Sequence, residues 1–225
     1  MSILLFSTCS NDAYDELPSG PSVKCIVLGN SITSHAICSY WWGEWGMAAS
    51  TRNKDFVHNL ESKFKFRKLN YNFTPVNIAR WERSLDIDTV NFFALKIYDY
   101  DIIVIRLGEN IRDDIDSVEC ENALKELVLR IKTINRSAKL FMTGVFWPNA
   151  TKETAIMNVA SSENIKYINI DKYYTDSNIQ AVGNQVYGDD GQYHVIEHGG
   201  VANHPNDAGM NAIASELYKA IIAPL

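Results

Sequence analysis

Short apolar runs that end in polar turns alternate along this chain with longer segments of helical period. Val23-Lys24-Cys25-Ile26-Val27-Leu28 is apolar except at Lys24 and runs straight into Gly29-Asn30-Ser31-Ile32-Thr33, the pattern of a buried strand entering a tight turn. Similar runs lie near Phe73 to Ile78, Asp101 to Leu107, Lys139 to Phe146 and Ile165 to Ile170. Between them the spacing predicts helices near Asp55 to Lys63, over Val118 to Ile134 and over Thr151 to Ser162. The second of these puts Leu124, Leu127, Val128, Ile131 and Ile134 on one face, and Thr151 is a candidate cap for the third. Ala212, Ile213, Leu217, Ala220 and Ile221 mark a closing amphipathic helix. This alternation predicts an α/β fold: a parallel sheet of about five strands with helices on both faces, a three-layer α/β/α sandwich.

One stretch breaks the rhythm. From Asp171 to Asn203 there is no convincing helix, and long irregular segments in a compact domain are often lids or binding loops. Within it, Gln185 to Val195 alternates around Asp190-Gly191, so a small hairpin is expected there, overhanging the crevice at the top of the sheet.

Composition narrows the classes. A chain of 225 residues at 46% hydrophobic supports one domain with a sizeable core. Its formal net charge of −6 argues against nucleic acid, which asks for clustered Lys and Arg. No phosphate-cradling glycine loop is present, so no nucleotide cofactor is expected. His194, His198 and His204 with Asp189, Asp190 and Glu197 do not show the spacing of a metal-ligand pair on a helix, and no metal is expected either.

The chemistry on offer sits in three turns. Turns at the carboxyl ends of parallel strands hold the ligands of open α/β sheets, and Ser31 stands in one of them, with a helix's amides to follow. Gly-Asn-Ser is also ordinary turn chemistry, so the segment carries little alone. Pro205 biases His204 toward an extended conformation in a loop just ahead of the closing helix, where a neutral imidazole can take the Ser31 proton. Gly108-Glu109-Asn110 ends the third strand and offers an Asn amide to a developing oxyanion, a donor worth on the order of 3 kcal/mol.

Together these blocks resemble the SGNH (GDSL-type) hydrolase family over roughly residues 23 to 225. Gly29-Asn30-Ser31 matches its first block with Asn for the usual Asp, Gly108-Glu109-Asn110 its third, and His204-Pro205-Asn206 with Gly209 its fourth. The resemblance implies a flavodoxin-like sheet, Ser31 as nucleophile and His204 as base. It also implies an oxyanion hole of the Ser31 amide, the Ala79 amide in place of the second-block glycine, and Gly108-Asn110. Val201 stands where the family's orienting Asp falls, so Glu197 or a backbone carbonyl has to orient His204; loss of catalysis is the third outcome. Trp41, Trp42 and Trp45 on the loop after Ser31 read either as core or as a substrate wall, and His35 lies four residues beyond Ser31, where it can face the crevice.

The reading that follows is a serine esterase removing O-acetyl groups from carbohydrate, with no cofactor. The rivals are a lipase or thioesterase of the same fold and a non-catalytic glycan-binding lipoprotein. Residues 2–9 resemble the end of a bacterial lipoprotein signal, although no Lys or Arg precedes the short apolar run. Residues 1–22 are therefore expected to be signal remnant and tether, with membrane attachment through a lipidated Cys9 and an exported, periplasmic or cell-surface location. The alternative is a frayed N-terminus.

Overall fold

The computed structural model describes residues 20–223; Cys9 and nearly all of the expected signal remnant and tether lie outside them. Five parallel strands form the sheet: β1 (Val23–Gly29), β2 (Tyr71–Asn77), β3 (Ile102–Ile105), β4 (Lys139–Thr143) and β5 (Lys166–Ile168). Their order is β2-β1-β3-β4-β5, the flavodoxin-like arrangement. Interior strand β1 pairs with both neighbours, Val27 opposite Pro75 on one side and Val104 on the other.

The period-2 alternation of β1 sorts the core into two halves. Cys25 and Val27 face the layer of α1 (Phe56–Phe66) and α6 (Asp207–Ile222), whereas Ile26 and Leu28 face α3 (Ser117–Ile134) and α4 (Ala150–Ser162). Leu124, Leu127, Val128 and Ile131 are buried along one stripe of α3, as their spacing predicts. A short helix, α2 (Ala79–Ser84), follows β2 directly.

Local chemistry moves several boundaries. Asn149, not Thr151, caps α4, its side chain accepting from the Lys152 N–H; the cap falls two residues earlier because helix capping needs an extended residue, and Asn149 is extended. The fourth strand stops at Thr143 rather than Phe146 because carboxylates claim the next amides: Val145 N–H donates to Glu153 and Phe146 N–H to Glu109.

The hairpin is present as β6 (Gln185–Tyr187) and β7 (Tyr193–Val195), but it does not overhang the crevice. It packs on the Trp loop instead. Tyr187 N–H donates to Ser50, Asp189 N–H donates to the Trp42 carbonyl, and the Trp42 and His194 rings stack at 4.4 Å. One helical turn, α5 (Gly199–Ala202), interrupts the segment that showed no helix and occupies the crevice edge.

Candidate active site

β1 and β3 are neighbours whose connections leave in opposite directions, so a crevice opens beyond their carboxyl ends. The turn after β1 closes there because position 29 is glycine: a Cβ would meet Thr33 Oγ1 at 1.9 Å and the Arg106 carbonyl at 3.1 Å. Thr33 and Ser34 N–H both donate to the Asn30 carbonyl, which turns the Ser31 side chain outward.

From the far end of the chain, His204 arrives on the loop between α5 and α6. Asn206 anchors that loop, accepting from Ala208 and Gly209 N–H as the α6 cap and donating to the Ser177 and Ile179 carbonyls. Gly209 lets the chain close up, since a Cβ there would meet the Asn178 carbonyl at 2.3 Å. Trp147 stands edge-on to the imidazole, ring centroids 5.1 Å apart, and its Nε1–H donates to the Asn203 carbonyl.

The two ends meet. Ser31 Oγ lies 2.8 Å from His204 Nε2, across 173 positions of sequence. His204 Nδ1 lies 2.8 Å from the Gly200 carbonyl oxygen, which only accepts, so the proton sits on Nδ1 and Nε2 is left to receive the serine proton. Burial holds the imidazole well below its ordinary range, to about 4. The Gly200 carbonyl opposes that shift, and the charges of Arg106 and His35 reinforce it. His204 is therefore a neutral acceptor at physiological pH.

Beneath this pair lies a buried polar cluster that ties the turns of β1, β3 and α2 together. Asn30 donates Nδ2–H to Glu109 at 2.6 Å and to Glu82 at 3.1 Å, and its Oδ1 accepts from Arg106 at 2.9 Å. Arg106 completes a pair with Glu109 at 2.5 Å, both side chains buried. Glu82 accepts from Gly108 N–H and from Asn110 Nδ2–H, each at 2.6 Å. Burial, and then the nearby Glu109 carboxylate, push Glu82 above the usual carboxylate range, while its three donors pull it back. Arg106 pairs with Glu109 alone, and the Asn30 amide bridges the two carboxylates.

The expected site residues divide accordingly. Ser31, His35, Ala79 and His204 line one cleft of about 260 Å³. Glu197 is exposed, and the Nδ1 position expected of it is held by the Gly200 carbonyl. Gly108 N–H is not free for an oxyanion, because Glu82 takes it; Ala79 N–H is held by Asn77 Oδ1 at 2.9 Å. Asn110 spends one amide hydrogen on Glu82 and keeps one, and Ser31 N–H has no acceptor among the described residues.

None of the tryptophans lines this cleft. Trp41 and Trp45 are core, packed edge to face at 5.5 Å, and Trp42 lies against His194; large apolar area drew them inward. Tyr40 and His198, stacked at 4.5 Å, are the aromatic pair at the cleft, with Arg83 also on its wall. Sequence reasoning passed over Tyr40 and Arg83, and weighed His198 only as a metal ligand. Tyr40 heads the Trp run that was singled out, and Arg83 lies four residues past Ala79, so a helical reading of residues 79–84 would have found it.

Neither a family model nor a curated protein matches the chain in sequence. Solved structures do match in shape. The psychrotrophic esterase EstA from Pseudoalteromonas sp. superposes with a TM-score of 0.56 at 15% identity, over 88% of this chain and 96% of that one. A family 3 carbohydrate esterase from Clostridium thermocellum gives 0.56 at 15% identity, over 88% and 94%. A member of the lipolytic G-D-S-L family from Veillonella parvula gives 0.53 at 13%, over 90% and 100%. The fold is that of the SGNH hydrolases.

Proposed function

We propose that this chain is a carboxylic ester hydrolase in which Ser31 is the nucleophile and His204 the general base, and that it removes O-acetyl groups from carbohydrate. The observation that carries the reading is the 2.8 Å contact between Ser31 Oγ and a neutral His204 Nε2, inside a fold shared with esterases. That one fold neighbour is a carbohydrate esterase supports the substrate class. Export and lipid attachment through Cys9 belong to the same proposal and rest on residues 2–9 alone.

In the first half-reaction Ser31 Oγ attacks the ester carbonyl carbon as its proton passes to His204 Nε2. The developing oxyanion takes the Ser31 N–H and the remaining Asn110 amide hydrogen. Collapse breaks the bond to the leaving alcohol, which recovers the proton from His204 and leaves an acyl-serine. Water then attacks the acyl carbonyl, giving a proton to His204 Nε2; collapse breaks the bond to Ser31 Oγ, which takes that proton back as the acid leaves.

Hydrolysis of p-nitrophenyl acetate by the wild type and by Ser31→Ala tests this, together with labelling by a fluorophosphonate probe. The proposal expects labelling at Ser31 and a loss of roughly 10³-fold or more in rate on substitution. Equal rates, or no label with no turnover, would remove the enzyme reading; binding of polysaccharide without turnover would then favour the non-catalytic alternative, for which Val201 is the motive.

A further inference from the structure

Helix α2 has only six residues, yet it serves two purposes. Glu82 is buried beneath the catalytic turns, while Ala79 and Arg83, one helical turn apart, share the face that lines the cleft. No aspartate or glutamate lines that cleft, and Arg83 is its one permanently charged wall residue. Arg52 is matched by Asp189, Arg106 by Glu109, and Arg112 by Asp114 and Glu119. Arg80, Arg130 and Arg136 carry no ion pair among the described residues either, but none of them lines the cleft, and Arg83 does. Arg83 is exposed, and its side chain makes no hydrogen bond or ion pair among the described residues. In a chain of net charge −6, acidic partners are plentiful, and this guanidinium has none beside the nucleophile.

The rest of the wall suits a ligand that carries both hydroxyls and negative charge. Tyr40 and His198 present a stacked pair, and His35 adds an imidazole. Arg83 and Tyr40 lie close enough to interact electrostatically: the Cys38 thiol pushes the Tyr40 phenol up, and the Arg83 charge opposes it.

We propose that Arg83 forms an anion subsite, so that the ester this cleft takes bears a carboxylate within reach of the guanidinium. The inference rests on the esterase reading of Ser31 and His204 and adds the charge of the substrate to it. A carboxylate offers two oxygens to the planar fork of donors, a match that a lysine or a neutral amide does not reproduce. The carboxylate can belong to the alcohol half, as in an O-acetylated sugar acid, or to the acyl half, as in a hemiester of a dicarboxylic acid.

Two matched substrate pairs separate these sources. One compares O-acetylated glucuronate with the same sugar as its methyl ester; the other compares p-nitrophenyl hydrogen succinate with p-nitrophenyl methyl succinate. The charged member of at least one pair should lead by about tenfold or more in kcat/KM at low salt. Added salt should erode that lead, Arg83→Gln should bring the ratio to about one or below, and Arg83→Lys should keep part of it.

No preference in either pair, or a preference that Arg83→Gln leaves intact, overturns the subsite while hydrolysis itself upholds the esterase. Calorimetric titration of Ser31→Ala with glucuronate, glucose and succinate reads the subsite without turnover. Binding of an acid that Arg83→Gln abolishes would sustain the subsite even if no ester were cleaved. Where no ester is cleaved, acids that bind no more tightly than glucose, or equally tightly to Arg83→Gln, would end it.

Discussion

His204 Nδ1 sits 2.8 Å from the carbonyl oxygen of Gly200, four residues upstream on the single helical turn α5. A main-chain acceptor therefore does the orienting that the SGNH resemblance assigns to a carboxylate at position 201. In a serine protease, exchanging the triad Asp for Asn costs about 10⁴-fold, chiefly because the imidazole then carries its proton on the wrong nitrogen. Here the carbonyl can only accept, so the useful tautomer is kept. What it does not supply is a full negative charge to stabilise the imidazolium that forms in the transition state.

Glu197→Gln tests that assignment. The side chain is exposed and Nδ1 already has its partner, so kcat/KM on p-nitrophenyl acetate should stay within about twofold of wild type. A drop of several hundredfold would mean that Glu197 swings in during turnover.

The acid limb of the rate profile should fall unusually low. Burial takes His204 to about 4 in the free enzyme, so kcat/KM should hold from neutral pH down through pH 5 and break near pH 4. A break near 6.5 would contradict a buried, neutral imidazole. Stability follows with a definite sign. Because the folded value lies below the unfolded one, the contribution of His204 is fully present above about pH 6.5 and is lost as pH falls toward 4. The span corresponds to a loss on the order of 3 kcal/mol, measurable by denaturant titration at several pH values.

Glu82→Gln should separate positioning from packing. Glutamine has nearly the same volume, but Gly108 N–H and the Asn110 amide reach different oxygens of Glu82, and in glutamine one of those two positions becomes an NH2 donor. We expect kcat to fall roughly 10- to 100-fold with KM little changed, as Asn110 loses its aim at the oxyanion. An equal change in both parameters, or none, would show that Asn110 is held by other means.

Asn30→Asp, which restores the family's usual residue, should destabilise this protein. It would put a third carboxylate against Glu82 and Glu109 with only Arg106 to offset them. An uncompensated buried charge costs about 3 kcal/mol or more, which for a chain this size lowers Tm by roughly 10 °C. The gap to wild type should narrow as pH falls and the new carboxyl protonates; a variant as stable as wild type at pH 8 would sink the account.

How far the sequence could be read follows from which groups do the work. Ser31 and His204 were legible because each sits in a local pattern, a strand running into a glycine turn and a Pro-stiffened loop before a helix. The five strands were legible because parallel strands buried on both faces must be apolar throughout. Gly200 was invisible, since a carbonyl acceptor leaves no side-chain signature. Glu82 read as an ordinary helix charge, because its partners come from β1 and β3, across 26 to 52 positions. The Ala79 amide was misjudged for a related reason: the neighbouring Asn77 side chain competes for it, and composition does not reveal which way a side chain turns. The Trp run left core and wall open; packing decided for core at Trp41 and Trp45, while Trp42 is half-buried against His194.

Because the hydroxyl comes from the first strand and the imidazole from the loop before the last helix, the dyad is assembled late in biosynthesis. A nascent chain can have its five-stranded sheet paired and still hold an inert serine until the segment bearing His204 leaves the ribosome and docks. A proteolytic cut between β5 and α6 that let that loop drift would likewise silence the hydroxyl and leave the sheet intact, making the last fifth of the chain a switch for chemistry done at its beginning.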